Sequence, residues 1–300
     1  MTDLENSPAL AEGRSAEPPH LSSRRVGPLG FLLRSPLVAL SLLIAALLVF
    51  AAIFPGELAP HTPNFADLES LRLSPSAAHP FGTDQLGRDV LSRVIYGTRT
   101  TLLVGVLSML VGAIGGGLIG LLAGYAGGFL DSVLMRLSDI MLAFPGILLA
   151  LAIVAAAGPN DRDLVLAVGI ATVPSYAKLM RNQVRSVKER GFIEAAVASG
   201  SRRRTVVFGH LLPNAYSPLV GLATLGIGIS ILVASSLSFL GLGPPPPTSE
   251  WGAMVSDGSG QISTSWWMSL FPGLAIVVTV LVAGTIGQWL RGIFDLRSGQ

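Results

Sequence analysis

The side chains that could bind a metal ion are densest where His79, Asp84 and Asp89 follow one another closely. A hard cation held by oxygen atoms needs more ligands than this group supplies. Structural roles also explain these residues, because Thr83 or Asp84 can cap a short helix. Asp89 and Arg93 have the i, i+4 spacing of a helical ion pair. We therefore predict that the chain has no metal site.

No other group of residues in the sequence is suited to catalysis or to holding a cofactor. The chain has no cysteine, and its scattered histidines form no paired motif for zinc. It has no GxxxxGK(S/T) loop for nucleotide phosphates and no nucleophile beside a base. We expect a chain that is not an enzyme and has no cofactor of its own. The net charge of only +2 says little about partners. We expect no nucleic acid partner.

The segment from Glu194 to Pro213 could contact a partner protein rather than bind a metal ion or catalyse a reaction. Ala195 and Ala196 favour a helix with a low profile, and Gly200 permits a left-handed turn. The pattern predicts a helix, a glycine break and a second helix that ends near Leu212 and Pro213. A short helix of small side chains is shaped to lie in the groove of a partner. An ordinary helical connection fits the same residues equally well.

The elements that carry these residues are strongly apolar. Half of the chain is hydrophobic and 13% is charged, whereas soluble domains are about 25% charged. Because a bilayer core needs about 20 apolar residues per helix, we predict an all-α integral membrane protein with six transmembrane helices. The fourth stretch is short, but the cationic residues that follow it can snorkel to the interface. The stretches cover residues 36–54, 100–123, 131–157, 164–174, 211–242 and 268–290.

The remaining segments complete the predicted organisation. We expect a disordered tail at residues 1–35, a loop with one short helix at 55–97, and a five-helix core at 98–291. The core includes the polar loop 183–213, and residues 292–300 form a second tail. Pro145 is expected to kink the third span. An interfacial belt is the expected role of the three tryptophans near the last span, Trp251, Trp266 and Trp267.

Glycines recur every fourth residue in the second span. This spacing puts them on one helix face, where the missing side chains let another helix approach closely. We predict that this face packs against a neighbouring span. The glycines concerned are Gly112, Gly116, Gly120 and Gly124.

Charged residues also share helix faces. Arg136 and Asp139 can pair within the third span. A basic stripe follows the fourth span, and it either binds lipid headgroups or a partner or, as is commoner, anchors the helix end in the cytoplasm. The stripe consists of Lys178, Arg181, Arg185 and Lys188.

The distribution of lysine and arginine predicts the topology. With six spans and a cytoplasmic N-terminus, fourteen of these residues fall in inside segments and five in outside segments. Eight of the fourteen lie between Lys178 and Arg204. Cytoplasmic loops carry the excess of positive charge. We therefore expect both termini and the loop 183–213 on the cytoplasmic side.

Three segments together resemble one protein family. Glu194 to Asn214 is similar to the EAA loop of permease subunits of bacterial ATP-binding cassette importers. Its ending, His210-Leu211-Leu212-Pro213-Asn214, resembles the subfamily that transports dipeptides, oligopeptides and nickel. The segments His79–Asp89 and Ser238–Gly252 are similar to that subfamily too. The three segments occur in the family's order, and the resemblance covers nearly the whole chain.

The resemblance implies a type I importer permease fold in the bacterial inner membrane, which works by alternating access. It implies coupling to the ATPase subunit through Glu194, Ala195, Ala196, Gly200, Leu212 and Pro213. It also implies a gate or scoop outside the membrane, formed by Phe81, Gly82, Thr83, Asp84, Gly87, Arg88 and Asp89.

The implied partners are a second, homologous permease, two ATPase subunits that bind ATP and Mg, a solute-binding protein and the lipid bilayer. The implied cargo is a dipeptide or oligopeptide, with nickel or another small solute as the alternative.

Two other functional classes make different demands on the sequence. An ion-coupled secondary transporter needs ionisable groups deep in its spans, and here Arg136 and Asp139 lie near one end of a span. A membrane enzyme needs a cluster of polar residues at a membrane face, and the sequence has none that we recognise. Both classes are therefore less favoured than a transport subunit.

Overall fold

The computed structural model describes residues 36–298, with side chains described as far as residue 293. Within that range the chain is a bundle of helices, with one isolated antiparallel bridge between Thr83 and Asp89. The predicted N-terminal tail, residues 1–35, lies outside the described residues.

Eleven α-helices follow one another along the described part of the chain. The first six are α1 (Pro36–Ile53), α2 (Pro55–Leu58), α3 (Val90–Ala126), α4 (Gly128–Leu142), α5 (Gly146–Ala157) and α6 (Asp161–Lys188). The others are α7 (Gly191–Ala198), α8 (Leu212–Ala215), α9 (Ser217–Leu237), α10 (Trp251–Ser259) and α11 (Trp267–Ser298). Two π-helical segments, Thr205–Leu211 and Ser238–Leu242, precede α8 and extend α9.

The predicted six spans correspond to five continuous helices and one broken one. By length and composition, α1, α3, α6, α9 with its extension, and α11 can each cross a membrane. The third span is divided into α4 and α5, which meet at an angle of 90°. Pro145 stands directly before α5. The expected kink at this proline is therefore a complete break.

Several predicted boundaries differ from those observed. The helix of the second span begins at Val90, before the predicted start of that span at residue 100. Asp89 caps this helix and fixes its earlier start. The last helix continues to Ser298, beyond the predicted end of the sixth span at residue 290. The fourth span is also longer than predicted, because α6 runs through Pro174.

The packing of α3 against α6 explains the length of α6. A Cβ atom on Gly116 would lie 2.6 Å from the Cβ of Tyr176, and one on Gly120 would lie 2.7 Å from the Cβ of Met180. Gly112 and Gly124 approach Thr172 and Val184 in the same way. The four glycines therefore line one face of α3, and this contact supports α6 on both sides of Pro174.

Buried apolar residues form separate clusters at the two ends of α3. The cluster beside the first residues of α3 contains Val90, Trp251, Met254, Trp267 and Met268. These two tryptophans are 0% and 5% exposed. The predicted interfacial belt is therefore wrong for both, and Trp266, at 46%, is the exposed one.

The cluster at the far end of α3 joins five elements. It contains Leu121, Met180, Val184, Val187, Ile193, Val206, Leu211 and Ala215. These residues come from α3, α6, α7, the first π-helical segment and α8. The far cluster thus fixes the loop between α6 and α9 on the bundle.

The basic stripe of α6 forms ion pairs with α4. Arg181 binds Asp131 through two hydrogen bonds of 2.6 Å each. Lys178 lies 2.5 Å from Asp139, so the predicted pairing of Arg136 with Asp139 is wrong. The stripe joins two helices in the folded chain, a role that is absent from the predicted alternatives.

Candidate functional site

The predicted helix that contains Glu194 is α7, and the far cluster holds it on the bundle. Ile193 is 3% exposed and packs in this cluster. Glu194 and Ala195 are exposed, and Ala196 is half-buried. One apolar side chain therefore anchors the helix, while its neighbours face away from the bundle.

The end of α7 has the hydrogen bonding of a Schellman motif. The Ser201 amide donates to the Ala196 carbonyl at 3.1 Å, and the Gly200 amide donates to the Val197 carbonyl at 3.0 Å. Gly200 has a φ of +78°, which residues with a side chain rarely adopt. The predicted glycine break is thus a left-handed turn, and it directs the chain into the π-helical segment.

Large apolar side chains are exposed around this turn. Phe192 is 43% exposed, Val197 59% and Phe208 63%. They belong to α7 and to the short π-helical segment, which are both too short to cross a membrane. Leu212 is half-buried and Pro213 is exposed at the start of α8. An exposed apolar surface outside a span is a candidate protein interaction site.

At the other end of α3, Asp84 is the centre of a network of polar contacts. Its carboxylate accepts hydrogen bonds from the amides of Leu86 and Arg88, at 2.8 and 3.0 Å. Arg88 Nε also donates to it at 2.7 Å, and Arg93 Nε lies 3.7 Å away. Asp84, Arg88 and Arg93 are all buried. The tight turn from Asp84 to Arg88 is therefore held by charges shielded from water.

The residues before Asp84 attach the same segment to the last span. Trp267 Nε1 donates to the Thr83 carbonyl at 3.0 Å, and Phe81 stacks on Phe271 at 3.9 Å. Gly82 and Gly87 have φ values of +72° and +74°. A Cβ on Gly82 would clash with Trp267, and one on Gly87 with the Asp67 backbone. Most of the segment thus faces the protein interior.

Asp89 caps α3, which corrects the predicted cap at Thr83 or Asp84. Its Oδ2 accepts hydrogen bonds from the Ser92 amide at 2.8 Å and from Ser92 Oγ at 2.6 Å. Its Oδ1 lies 2.9 Å from His79 Nδ1. The predicted pair of Asp89 with Arg93 is also wrong, because the nearer carboxylate to Arg93 is that of Asp84.

Glu250 is a buried carboxylate beside this end of the bundle. Its side chain accepts a hydrogen bond from the Ala253 amide at 2.9 Å and so caps α10. The residue is 2% exposed. Burial raises the pKa of Glu250, although hydrogen bonds from the amides of Ala253 and Gly252 act in the opposite direction. The site therefore favours the protonated acid more than water does.

Comparison with known proteins identifies the family. Residues 116–300 match the family described as the binding-protein-dependent transport system inner membrane component. The chain belongs to this family. The permease is 39% identical over 292 residues to the probable D,D-dipeptide transport system permease protein DdpC of Escherichia coli K12, covering 97% of this chain and 98% of that one.

Other relatives give the same assignment. The permease is 42% identical to the glutathione transport system permease protein GsiD of Pectobacterium atrosepticum, over 84% of each chain. It is 39% identical to the dipeptide transport system permease protein DppC of Alkalihalophilus pseudofirmus, over 98% of this chain and 95% of that one.

Solved structures support the fold. A structure of the MetNI methionine ABC transporter in inward facing conformations has a TM-score of 0.57 at 17% identity, over 67% of this chain and 96% of that chain. An amino acid ABC transporter solved with histidines has a TM-score of 0.51 at 17% identity, over 68% and 94%. The predicted type I importer permease fold is therefore confirmed.

Family membership fixes the general role. The permease is a multi-pass inner membrane subunit of an ATP-binding cassette importer, and separate subunits hydrolyse ATP. It is a transport subunit and not an enzyme.

Three contacts were absent from the sequence-based prediction: Ile193 as the anchor of α7, Trp267 as a donor to the Thr83 carbonyl, and His61 beside His79 and Asp89. Each depends on a contact between residues far apart in the chain, for which a single sequence gives no local signal.

Proposed function

We propose that this chain imports dipeptides or oligopeptides as one of two permeases in its complex, and that α7 transmits the movement of the ATPase. The cargo is inferred from the relatives, whose names specify D,D-dipeptides, glutathione and dipeptides. The complex would contain a second permease, two ATPase subunits that bind ATP and Mg, and a solute-binding protein.

One observation carries the proposed coupling role. The α7 helix exposes Phe192 and Val197 next to the charged Glu194, while Ile193 connects it to the far cluster. A helix held by one buried residue and apolar on its free side suits the groove of a partner. Because that cluster includes Met180 of α6 and Leu121 of α3, a force on α7 would reach two spans.

The orientation follows from this proposal. If α7 contacts the ATPase, the far cluster lies on the cytoplasmic side together with the basic residues from Lys178 to Arg204. Both termini are then cytoplasmic, and the segment Phe81–Asp89 is outside. We propose that this segment is a fixed part of the outer gate, since its hydrogen bonds join α3 to α11.

The test is Glu194→Lys and, separately, Gly200→Val in the complex reconstituted with its binding protein. The first change reverses a charge on the exposed face, and the second places a branched side chain at a φ of +78°. We expect peptide uptake and peptide-stimulated ATP hydrolysis to fall at least about ten-fold, which corresponds to about 1.4 kcal/mol. Co-purification of the ATPase should weaken in parallel.

Two control variants separate coupling from folding. Glu69→Lys makes the same charge change at an exposed residue of the other end and should leave ATPase docking intact. Gly200→Asn keeps a residue that tolerates the left-handed region and should retain most activity. Wild-type uptake and stimulated hydrolysis in both Glu194→Lys and Gly200→Val would refute the coupling role. Stimulation by amino acids but not by peptides would refute the cargo.

A further inference from the structure

Two histidines and one aspartate converge at the start of α3. The residues are His61, His79 and Asp89, and their ligand atoms all lie within 4.8 Å of one another. His79 Nδ1 is 2.9 Å from Asp89 Oδ1, and His61 Nδ1 is 3.7 Å from the same oxygen. The two imidazole rings are 4.8 Å apart between centroids. None of these residues belongs to α7 or to the Asp84 network.

The aspartate is held in place by its second oxygen. Asp89 Oδ2 is fully engaged with Ser92, which leaves Oδ1 facing the two histidines. Ser92 Oγ also accepts a hydrogen bond from the His61 amide at 3.1 Å. Ser92 therefore orients the Asp89 carboxylate, as the groups behind metal ligands commonly do, and it holds the backbone of His61 nearby.

His79 is held through its own backbone. Its amide donates to Ser76 Oγ at 3.2 Å, and its carbonyl accepts from the amides of Ser76 and Gly82 at 2.9 and 2.8 Å. His61 has more freedom, because its side chain is 44% exposed against 18% for His79 and 1% for Asp89. Two ligands are thus fixed, and the third can rotate at the surface.

From this geometry we propose that His61, His79 and Asp89 bind a divalent transition metal ion, with Zn²⁺ as the ion that fits best. In a tetrahedral zinc site with bonds of about 2.0–2.2 Å, neighbouring ligand atoms lie about 3.3–3.5 Å apart. The two measured separations, 2.9 and 3.7 Å, lie on either side of that range. Imidazole nitrogen with one carboxylate suits zinc and its neighbours, whereas Ca²⁺ and Mg²⁺ require mainly oxygen ligands.

The proposed site would fasten the loop after α2 to the helix of the second span. His61 and His79 both belong to the loop, and Asp89 is the cap of α3. The His61 side chain is 44% exposed, so this part of the proposed site is open to solvent. Water or a carboxylate from outside the chain can complete the coordination. This role is independent of the coupling by α7 and of the identity of the cargo.

The experiment measures zinc binding to the complete permease complex purified in detergent after treatment with a chelator. Zinc per complex is determined by elemental analysis, and Co²⁺ provides an absorption spectrum that reports tetrahedral ligands. The variants are His61→Ala, Asp89→Asn and, as a matched control, His210→Ala, which removes a histidine of the π-helical segment Thr205–Leu211. Asparagine is as good a helix cap as aspartate, so Asp89→Asn preserves α3 while removing the charged ligand.

We expect His61→Ala and Asp89→Asn each to lose one zinc ion per complex, or to bind it more than ten-fold more weakly. His210→Ala should bind as the wild type does. Zn²⁺, but not Mg²⁺, should raise the midpoint of thermal unfolding of the wild type and not of His61→Ala. The proposal is wrong if the wild type binds no zinc at micromolar concentration, or if His61→Ala binds it equally well. In either case His79 and Asp89 form only a hydrogen-bonded clamp.

Discussion

Arg181 holds Asp131 by two parallel hydrogen bonds, from Nε to Oδ1 and from Nη2 to Oδ2, each 2.6 Å long. The two residues are fifty positions apart and join α6 to the first half of the broken span. Their side chains are 24% and 11% exposed. A paired geometry of this kind is the strongest form of an arginine–carboxylate contact. It fixes α4 at the point where the chain turns away from α3.

Removing this pair should destabilise the bundle. Arg181→Met leaves the Asp131 carboxylate without its two donors, and we expect a loss of about 1–3 kcal/mol in the free energy of unfolding. Titration of the purified complex with a denaturing detergent measures the change. The double variant with Asp131→Arg and Arg181→Asp should recover part of the loss.

The neighbouring pair provides a control on the same face of α6. Lys178 and Asp139 are 42% and 57% exposed at their side chains, and exposed pairs contribute about 0–1 kcal/mol. Lys178→Met should therefore cost less than Arg181→Met. Equal losses of unfolding free energy in Arg181→Met and Lys178→Met would show that the two-bond geometry adds no stability beyond that of an exposed ion pair.

The glycine face of α3 leads to a second prediction. A Cβ on Gly116 would lie 2.6 Å from Tyr176 Cβ and 2.9 Å from the Ala177 amide nitrogen. Gly116→Ala should thus destabilise the permease by about 1–3 kcal/mol, because the helices must separate. On Gly117 the nearest atom is Leu219 Cδ2 at 3.4 Å. There, alanine should be neutral or stabilise by up to about 1 kcal/mol through its better helix propensity. Thermal unfolding of both variants distinguishes these outcomes.

We expect substitution of Trp267 to destabilise the permease more than substitution of the adjacent Trp266. Trp267 is 5% exposed and donates from Nε1 to the Thr83 carbonyl at 3.0 Å. Trp267→Phe removes this donor, and we expect a loss of about 1–3 kcal/mol. Trp266→Phe changes an exposed ring and should stay within about 0.5 kcal/mol of wild type. Equal stabilities of the two variants would mean that the Thr83 contact does not anchor the segment Phe81–Asp89.

Glu250 should make stability depend on pH. Its pKa is raised by burial in the folded state. At low pH the Glu250 carboxyl is protonated in both the folded and the unfolded chain, so the folded state pays no cost for burying a charge. As pH rises above the ordinary value of 4.5, the unfolded chain ionises first, so the stability contributed by Glu250 is lost as pH rises through its folded-state pKa.

Glu250→Gln should therefore flatten the fall of the unfolding midpoint with pH and raise the midpoint at neutral pH. Glutamine keeps an oxygen that can cap α10. An unchanged slope in Glu250→Gln would assign the dependence to other groups.

The amino-acid sequence by itself determined the membrane class, the six apolar stretches and the family. These properties depend on composition, on runs of neighbouring residues and on short motifs. The glycine spacing in α3 also predicted a close helix contact, since a repeat of four residues selects one helix face. The left-handed turn at Gly200 followed from one residue type in one local context.

Only the tertiary structure decided which side chains meet. The sequence paired Asp139 with Arg136, whereas the fold brings Lys178 to Asp139 from another helix. The sequence grouped His79 with Asp84. In the fold, His61 lies beside His79, and Asp84 instead binds Arg88. The sequence ended the apolar run of α6 at Pro174, whereas the contact with α3 carries the helix past it. In each case the deciding interaction joins residues far apart in the chain, and local propensity and spacing contain no information about that distance in space.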